Sequence, residues 1–237
     1  MRLDKALSLA GYSRSEAKGM IAKGRVRVDG NTARDPGMNV QPEQVSLDGA
    51  AIIAPQEIYL MIHKPAGVVT ATEDKRLPTV VSLLPDNLQR RKIGPVGRLD
   101  RDVTGLVILT TDGQLAHRLI SPKWKAEKLY RARCGGMLTE KDVQAFAAGL
   151  ELSDFTALPA KLEILSAGAE ESIADVILTE GKFHQVKRMF AAVGHPLLQL
   201  ERRRIGCVQL DEGLQPGQWR SLTEEEIAGL KQMSGLI

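Results

Sequence analysis

The sequence predicts an α+β fold in two parts, a small N-terminal α/β module and a larger domain on a mixed, mostly antiparallel sheet. Three observations predict it. Alternating apolar runs recur along the chain, at 129–134 and 173–179 among others. Helical patterns lie between them at irregular intervals, without the regular strand–helix–strand repeat of a parallel sheet. The stretch GAAIIAPQE at 49–57 mixes small and apolar residues with Pro55 and holds no period, so it reads as a connector between 1–48 and 58–237.

In the N-terminal part, Leu3, Leu7 and Ala10 recur at helical spacing with Ala6 beside them, and Gly11 can stop that helix. Ser13 stands three residues before Glu16, the pattern of a capping box opening a second helix. Ala17, Met20 and Ile21 give that helix an apolar face, and Gly24 ends it. Arg14 and Lys18 are four apart and share an exposed face. In Arg25-Val26-Arg27-Val28 both arginines point one way and both valines the other. The Asp29-Gly30 turn then reverses the chain toward Asn31-Thr32.

In the larger part, Ile58–His63 reads as a buried strand running into the loop Lys64-Pro65-Ala66-Gly67, after which Val68–Ala71 resumes a strand. A glycine- and charge-rich stretch, 94–105, precedes the strand run Leu106–Thr110, which closes on Asp112-Gly113. A polar loop stationed before a buried strand suits a functional site. Tyr130, Ala132 and Cys134 share one side of their strand, and Val176 and Leu178 face opposite to Ile177 on theirs. A helix begins near His184 with Val186, Met189, Phe190 and Val193 as its apolar stripe. Thr223 followed by three glutamates reads as a capped helix start, with Ile227 and Leu230 packing inward.

Composition narrows the function classes. With 43% hydrophobic and 26% charged residues among 237, the chain is globular, and no apolar run approaches a membrane span. Its start lacks the apolar core of a signal peptide. Two cysteines, Cys134 and Cys207, form no CxxC pair, so neither a disulfide framework nor a cysteine zinc site is expected, and a cytoplasmic location is. The four histidines show no HExxH spacing, and no nucleotide-binding glycine motif occurs, so neither a metal nor a cofactor is expected. The net charge of +3 says little as a total. Its distribution says more: residues 1–34 carry a local net of +5, and further clusters stand at Arg90-Arg91-Lys92, at Lys123, Lys125 and Lys128, and at Arg202-Arg203-Arg204. Several basic clusters together make nucleic acid the leading partner class.

The order of elements over 1–48, with RLDKAL and SRSEAKGMIAKGRVRVDG, resembles the S4 RNA-binding module. That resemblance implies RNA contact through residues such as Arg14, Lys18, Arg25 and Arg27. Four further blocks resemble the RsuA-type pseudouridine synthases, in family order: KPAG at 64–67, GRLDRDVTGLVILTTDG at 97–113, EKLYRARC at 127–134 and LTEGKFHQVKRMFAAVG at 178–194. The tail LERRRIGCVQLDEGLQPGQWRSLTEEEI continues the match, so the resemblance covers nearly the whole chain.

The resemblance implies an enzyme that isomerises uridine to pseudouridine in ribosomal RNA, without a cofactor and by extruding the nucleotide. Asp100 matches the family's catalytic carboxylate and could act as nucleophile or as base. Arg98 shares its side of an extended loop, and the resemblance assigns it to the gap left by the extruded nucleotide. Tyr130 matches the tyrosine that lies against the uracil, Leu178 the apolar residue across the pocket, and Lys187 the basic partner of the aspartate. Asp102 reads as structural, and His184 and Gln185 as structural or RNA-proximal. His184-Gln185 with Lys187 resembles the small-subunit branch, which implies one uridine of 16S rRNA, the site numbered 516. The expected partner is ribosomal RNA of the small subunit in an assembly intermediate, and a monomer is the default for a chain without an obvious interface repeat. The alternatives are a large-subunit (23S) enzyme of the same family and a non-catalytic assembly factor. A third, a hydrolase using Asp100 and Asp102, fails because carboxylates two residues apart would rarely flank a bond from opposite faces.

Overall fold

The computed structural model describes residues 1–52 and 56–237. Residues 53–55, with Pro55 of the expected connector, lie outside the described residues. The chain separates into two compact units, Met1–Glu57 and Ile58–Ile237.

The first unit opens with α1 (Leu3–Leu9) and α2 (Arg14–Ala22). The Ser13 hydroxyl accepts from the Glu16 amide at 3.2 Å and the Glu16 carboxylate from the Ser13 amide at 2.7 Å, closing the capping box. Such a cap stabilises a helix by about 1 kcal/mol. Then come β1 (Val26–Val28), β2 (Asn31–Thr32), β3 (Val45–Leu47) and β4 (Ala50–Ala51), an antiparallel sheet in the order β2-β1-β3-β4. Val26, Val28 and Val45 share one core with Leu3, Leu7, Ala17 and Ile21. Positive φ at Asp29 and Gly30 fits the tight turn joining β1 and β2. The same signal recurs at Asp48 and Gly49, both with positive φ, and turns β3 into β4. Residues 49–52 therefore belong to this unit and not to a connector: Ala50 and Ala51 pair with β3, and Ile52 is buried in its core.

The second unit runs β5 (Tyr59–Lys64), α3 (Asp86–Gln89), β6 (Gly94–Val96), β7 (Thr104–Thr110), α4 (Gly113–Ile120), β8 (Lys128–Gly135), α5 (Glu140–Ala148), β9 (Lys161–Ala167), β10 (Glu171–Leu178), α6 (Gln185–Ala192), β11 (Leu197–Ile205), β12 (Val208–Gln209), β13 (Trp219–Ser221) and α7 (Glu224–Met233). Its sheet, among the described residues, follows the order β13-β5-β7-β11-β8-β10-β9, with β12 on β11 and β6 on β7. Only the β7–β11 pair is parallel, so the sheet is mixed and mostly antiparallel. Both faces are covered. Leu60, Ile62, Val107 and Leu109 enter one core, and Met61, Leu106 and Ile108 enter the other, which explains the unbroken apolar runs of β5 and β7.

Gly105 makes the parallel pair possible. A Cβ there would lie 2.3 Å from the Arg202 carbonyl oxygen, and its φ of +105° suits glycine alone. β7 meets β11 only at Thr104 and Gly105, while β6 takes the same role at its far end, opposite Ile108, Leu109 and Thr110. The sheet opens where β6 and β11 part.

Three local readings change. Val68–Ala71 is not a strand: Val69 makes a single bridge to Thr79, and the Thr70 side chain is committed to Leu99. Asp112-Gly113 does not simply close a strand; the Asp112 carboxylate accepts from the amides of Gln114 and Leu115 and caps α4. The Arg202-Arg203-Arg204 run is not a free basic surface. Arg202 is buried, Arg203 pairs with Glu201 and Glu212, and Arg204 pairs with Glu127.

Candidate active site

The loop between β6 and β7 carries Asp100, and three ties fix it. Thr70 and Leu99 exchange hydrogen bonds, the Thr70 hydroxyl donating to the Leu99 carbonyl at 2.8 Å and accepting from the Leu99 amide at 3.1 Å. The Val103 amide donates to the Asp100 carbonyl at 3.2 Å and closes a turn. Beneath that turn, fully buried, lies Lys64 at the end of β5. Its Nζ donates to the carbonyls of Val103 at 2.7 Å, Pro65 at 2.9 Å and Arg101 at 3.1 Å. Burial pushes Lys64 down to about 8, against the pull of Asp102 and Asp100. A buried cation is costly, and here three carbonyl oxygens replace its water.

Leu99, the residue before the aspartate, points into the core, so its neighbours Arg98 and Asp100 turn outward together. Lys187 approaches from the first turn of α6, with Nζ 3.3 Å from Asp100 Oδ2. It is closer to Asp102, donating to both carboxylate oxygens at 2.7 and 2.8 Å. Asp102 is therefore not a bystander but the nearer partner of the same ammonium. Burial alone would lower the Lys187 pKa, but the hydrogen bond to Asp102 and the charges of both aspartates hold it above its ordinary value. The same bond keeps Asp102 below the usual carboxylate range. His184 caps α6 in a left-handed conformation and brings Nε2 to 3.5 Å from Asp100 Oδ2. Gln185, the other residue of that pair, is buried and ties the loop instead, accepting from the Lys182 amide and donating to Glu180.

Arg98, Asp100, Tyr130, Leu178 and Lys187 all line one small hollow of about 70 Å³. The hollow opens beside a cavity of about 670 Å³ at the place where β6 and β11 part, with Pro95 and Val96 on one wall, Arg202 and Ile205 on the other, and Lys128 and Tyr130 from β8. Arg98 and Asp100 line this cavity as well as the smaller one. The alternation of β8 turns Tyr130 inward, and β10 pairs Val176 with it, so Leu178 ends two residues further along.

Two basic residues lie behind Tyr130. Arg202 donates from Nε to the Leu106 carbonyl at 2.8 Å and from Nη1 to the Tyr130 hydroxyl at 3.5 Å, while its Nη2 is buried without a partner among the described residues. Lys128 donates to the Ala126 carbonyl at 2.8 Å, and burial together with Arg202 pushes its pKa down to about 8. The cavity thus offers a carboxylate at its rim, an aromatic wall and a positive interior, a combination suited to a flat, polar, electron-accepting ring. Lys64, Asp102, Lys128 and Arg202 were not singled out from the sequence as site residues. The one local hint was a lysine ending a buried strand directly before a proline.

In the first unit, Arg14, Lys18 and Arg27 stand on the surface, and Val26 and Val28 point inward as the alternation requires. Arg25 is also exposed, but its guanidinium forks onto Asp48. Among the described residues no group of three or more metal-ligating side chains converges, and no helix is long and apolar enough to cross a membrane.

Residues 58–192 match the model of the RNA pseudouridylate synthase family, and residues 1–46 that of the S4 domain. The chain is 43% identical to ribosomal small subunit pseudouridine synthase A of Vibrio parahaemolyticus serotype O3:K6, over 96% of this chain and 98% of that one. It is 42% identical to an uncharacterized RNA pseudouridine synthase of Bacillus subtilis (strain 168), over 96% and 97% of the two chains. A solved pseudouridylate synthase superposes with a TM-score of 0.70 at 36% identity, covering 97% of this chain and 99% of the other.

Proposed function

This chain belongs to the RNA pseudouridylate synthase family and is an RNA pseudouridine synthase with an N-terminal S4 domain, and on that premise we propose that it isomerises one uridine of small-subunit ribosomal RNA, the position numbered 516 in 16S rRNA, with Asp100 as the catalytic carboxylate. The observation that carries the assignment of Asp100 is its setting: Lys187 at 3.3 Å on one side, with Tyr130 and Leu178 in the same small hollow.

In the reaction the bond from the ribose C1′ to N1 breaks, the base turns, and a new bond forms from C1′ to C5. The proton on C5 leaves and N1 gains one, so atoms and electrons balance. Oxidation states do not change overall, and the reading needs no redox cofactor. Asp100 either attacks the sugar or base, or removes a proton from the ribose. Lys187 neutralises Asp100 in the resting site and can relax toward Asp102 as the aspartate's charge is consumed. The uracil stacks on Tyr130 and closes against Leu178, and the cations Arg202 and Lys128 lower the cost of negative charge on the detached ring. Arg98, exposed at the rim, fills the gap in the RNA and offsets part of the unstacking cost of a few kcal/mol.

The relatives named for the small subunit and the His184-Gln185 pair support the target. The enzyme works as a monomer on an assembling subunit, with the S4 domain as the first contact. Asp100→Asn tests the chemistry. It keeps shape and removes the charge, so isomerisation is lost while RNA affinity stays within about twofold. Substantial turnover by this variant would remove Asp100 from the mechanism.

A further inference from the structure

Phe183 is 69% exposed, more than any other large apolar side chain among the described residues except Ile237. It is not a mobile ornament of the surface. Its ring lies on the imidazole of His184 with centroids 3.7 Å apart and planes 20° from parallel. The backbone beneath is fixed by the Lys182 amide donating to Gln185 at 3.0 Å and by Gln185 donating to Glu180 at 2.6 Å. His184 holds φ 50° and ψ 28°, a left-handed conformation uncommon outside glycine. Backbone strain of this kind persists where surrounding contacts over-determine it, and it gathers at sites of function. Here it keeps the imidazole beside Asp100 and stacks Phe183 outside it.

The position of this pair is specific. Phe183 and His184 both line the large cavity together with Asp100 and Arg98. They line a second hollow as well, on the Asp102 and Lys187 side. One face of Phe183 is covered by the imidazole and the ring remains mostly open to solvent at the rim of the cavity. Lys182 and Arg98, both exposed, supply positive charge next to it.

We propose that the Phe183–His184 stack is a platform for a nucleobase that flanks the target uridine. The inference rests on the reading of the chain as an enzyme that extrudes its uridine. Extrusion leaves two flanking bases short of a stacking partner; Arg98 fills the gap against one, and the open aromatic face at the cavity rim replaces the partner of the other. The site accepts any base, because every base presents a π-face, and Lys182 and Arg98 meet the adjoining phosphates. It stands at the rim of the same cavity whose inner aromatic wall is Tyr130.

The test uses the full chain in an Asp100→Asn background, so that the RNA does not change during titration. Dissociation constants for unmodified small-subunit rRNA are measured for Phe183, Phe183→Ala, Phe183→Leu and Phe183→Trp. Phe183→Ala is expected to weaken binding by about 5- to 100-fold, Phe183→Leu to follow it, and Phe183→Trp to restore affinity. In a second arm, 2-aminopurine replaces the nucleotide on either side of the mapped uridine. Its fluorescence is quenched on binding the chain with Phe183 intact and not on binding Phe183→Ala. Wild-type affinity for Phe183→Ala, affinity of Phe183→Leu equal to that of Phe183, or equal quenching with and without the ring would each overturn the platform. Failure of the function itself reads out differently, as no pseudouridine in the RNA treated with unmutated protein, whatever the ranking of affinities.

Discussion

The two units of this chain use positive charge in opposite ways. In the first, Arg14, Lys18 and Arg27 stand on the surface of a small α/β module, available to a polyanion. In the second, the cations nearest the chemistry, Arg98 at the rim excepted, are turned inward and already engaged. Lys64 holds three carbonyls of the aspartate loop, Lys187 bridges two carboxylates, and Arg202 is buried behind Tyr130. Counting lysines and arginines along the sequence treats both kinds alike. Only burial and partners separate a charge that waits for RNA from one that builds a site.

Lys64→Met is expected to separate the two kinds of charge most strongly. Three buried carbonyl oxygens lose their donor at once, so the second unit is expected to lose about 2–5 kcal/mol of stability, read by thermal unfolding. If Lys64 were simply one more surface-type charge, the change would be within about 0.5 kcal/mol.

Lys187→Met comes next. It leaves Asp100 and Asp102 without their shared cation, and turnover on rRNA is expected to fall about 10²-fold at unchanged RNA affinity. A loss of affinity with normal turnover would class Lys187 with the surface cations of the first unit.

These two residues also show what the sequence could and could not reveal. The capping box at Ser13, the inward side of β8 and the glycine-rich loop around Asp100 were legible because their signals are local, within a few residues. The Asp-Gly turn at 48–49 carried the same signal as the one at 29–30, but an apparent connector masked it. Asp102 and Lys64 were not legible as site residues, because what defines them is distant in the chain. Lys187 is 85 residues from Asp102, and Lys64 is 39 from Val103. No spacing rule reaches that far, whereas the family resemblance reached Lys187 and placed it beside Asp100. The run Arg202-Arg203-Arg204 misleads in part for the matching reason, since Glu127 is 77 residues from Arg204, whereas Glu201, two residues from Arg203, is a local signal.

In the first unit, replacing Arg14, Lys18 or Arg27 by Ala is expected to lower the slope of log affinity against log salt by about 0.7–0.9 for each phosphate contact removed. Arg25→Ala is expected to change it less, because that guanidinium is held by Asp48. Equal slopes for all four would erase the distinction between open and engaged charge. In the second unit, the double change of Arg203 and Arg204 to Ala is expected to shift the slope by under about 0.5, since both are neutralised internally.

The smallest effect concerns pH. Lys128 titrates near 8 in the folded chain and near its ordinary value when unfolded. Between those values the unfolded chain binds more protons, so this residue's contribution to stability rises with pH from about 8 to 10.4. Unfolding measured across that window is expected to show a shallower rise for Lys128→Met than for the unmutated chain. An identical slope would mean that the ammonium stays hydrated in the cavity.

Mapping decides whether one uridine of the small-subunit RNA is converted. Unmodified small- and large-subunit rRNA are treated separately with the full chain, and pseudouridine is located at nucleotide resolution. A single dominant site is expected in the small-subunit RNA, at the position numbered 516, and none in the large. A dominant site in the large-subunit RNA with none in the small would contradict the small-subunit assignment.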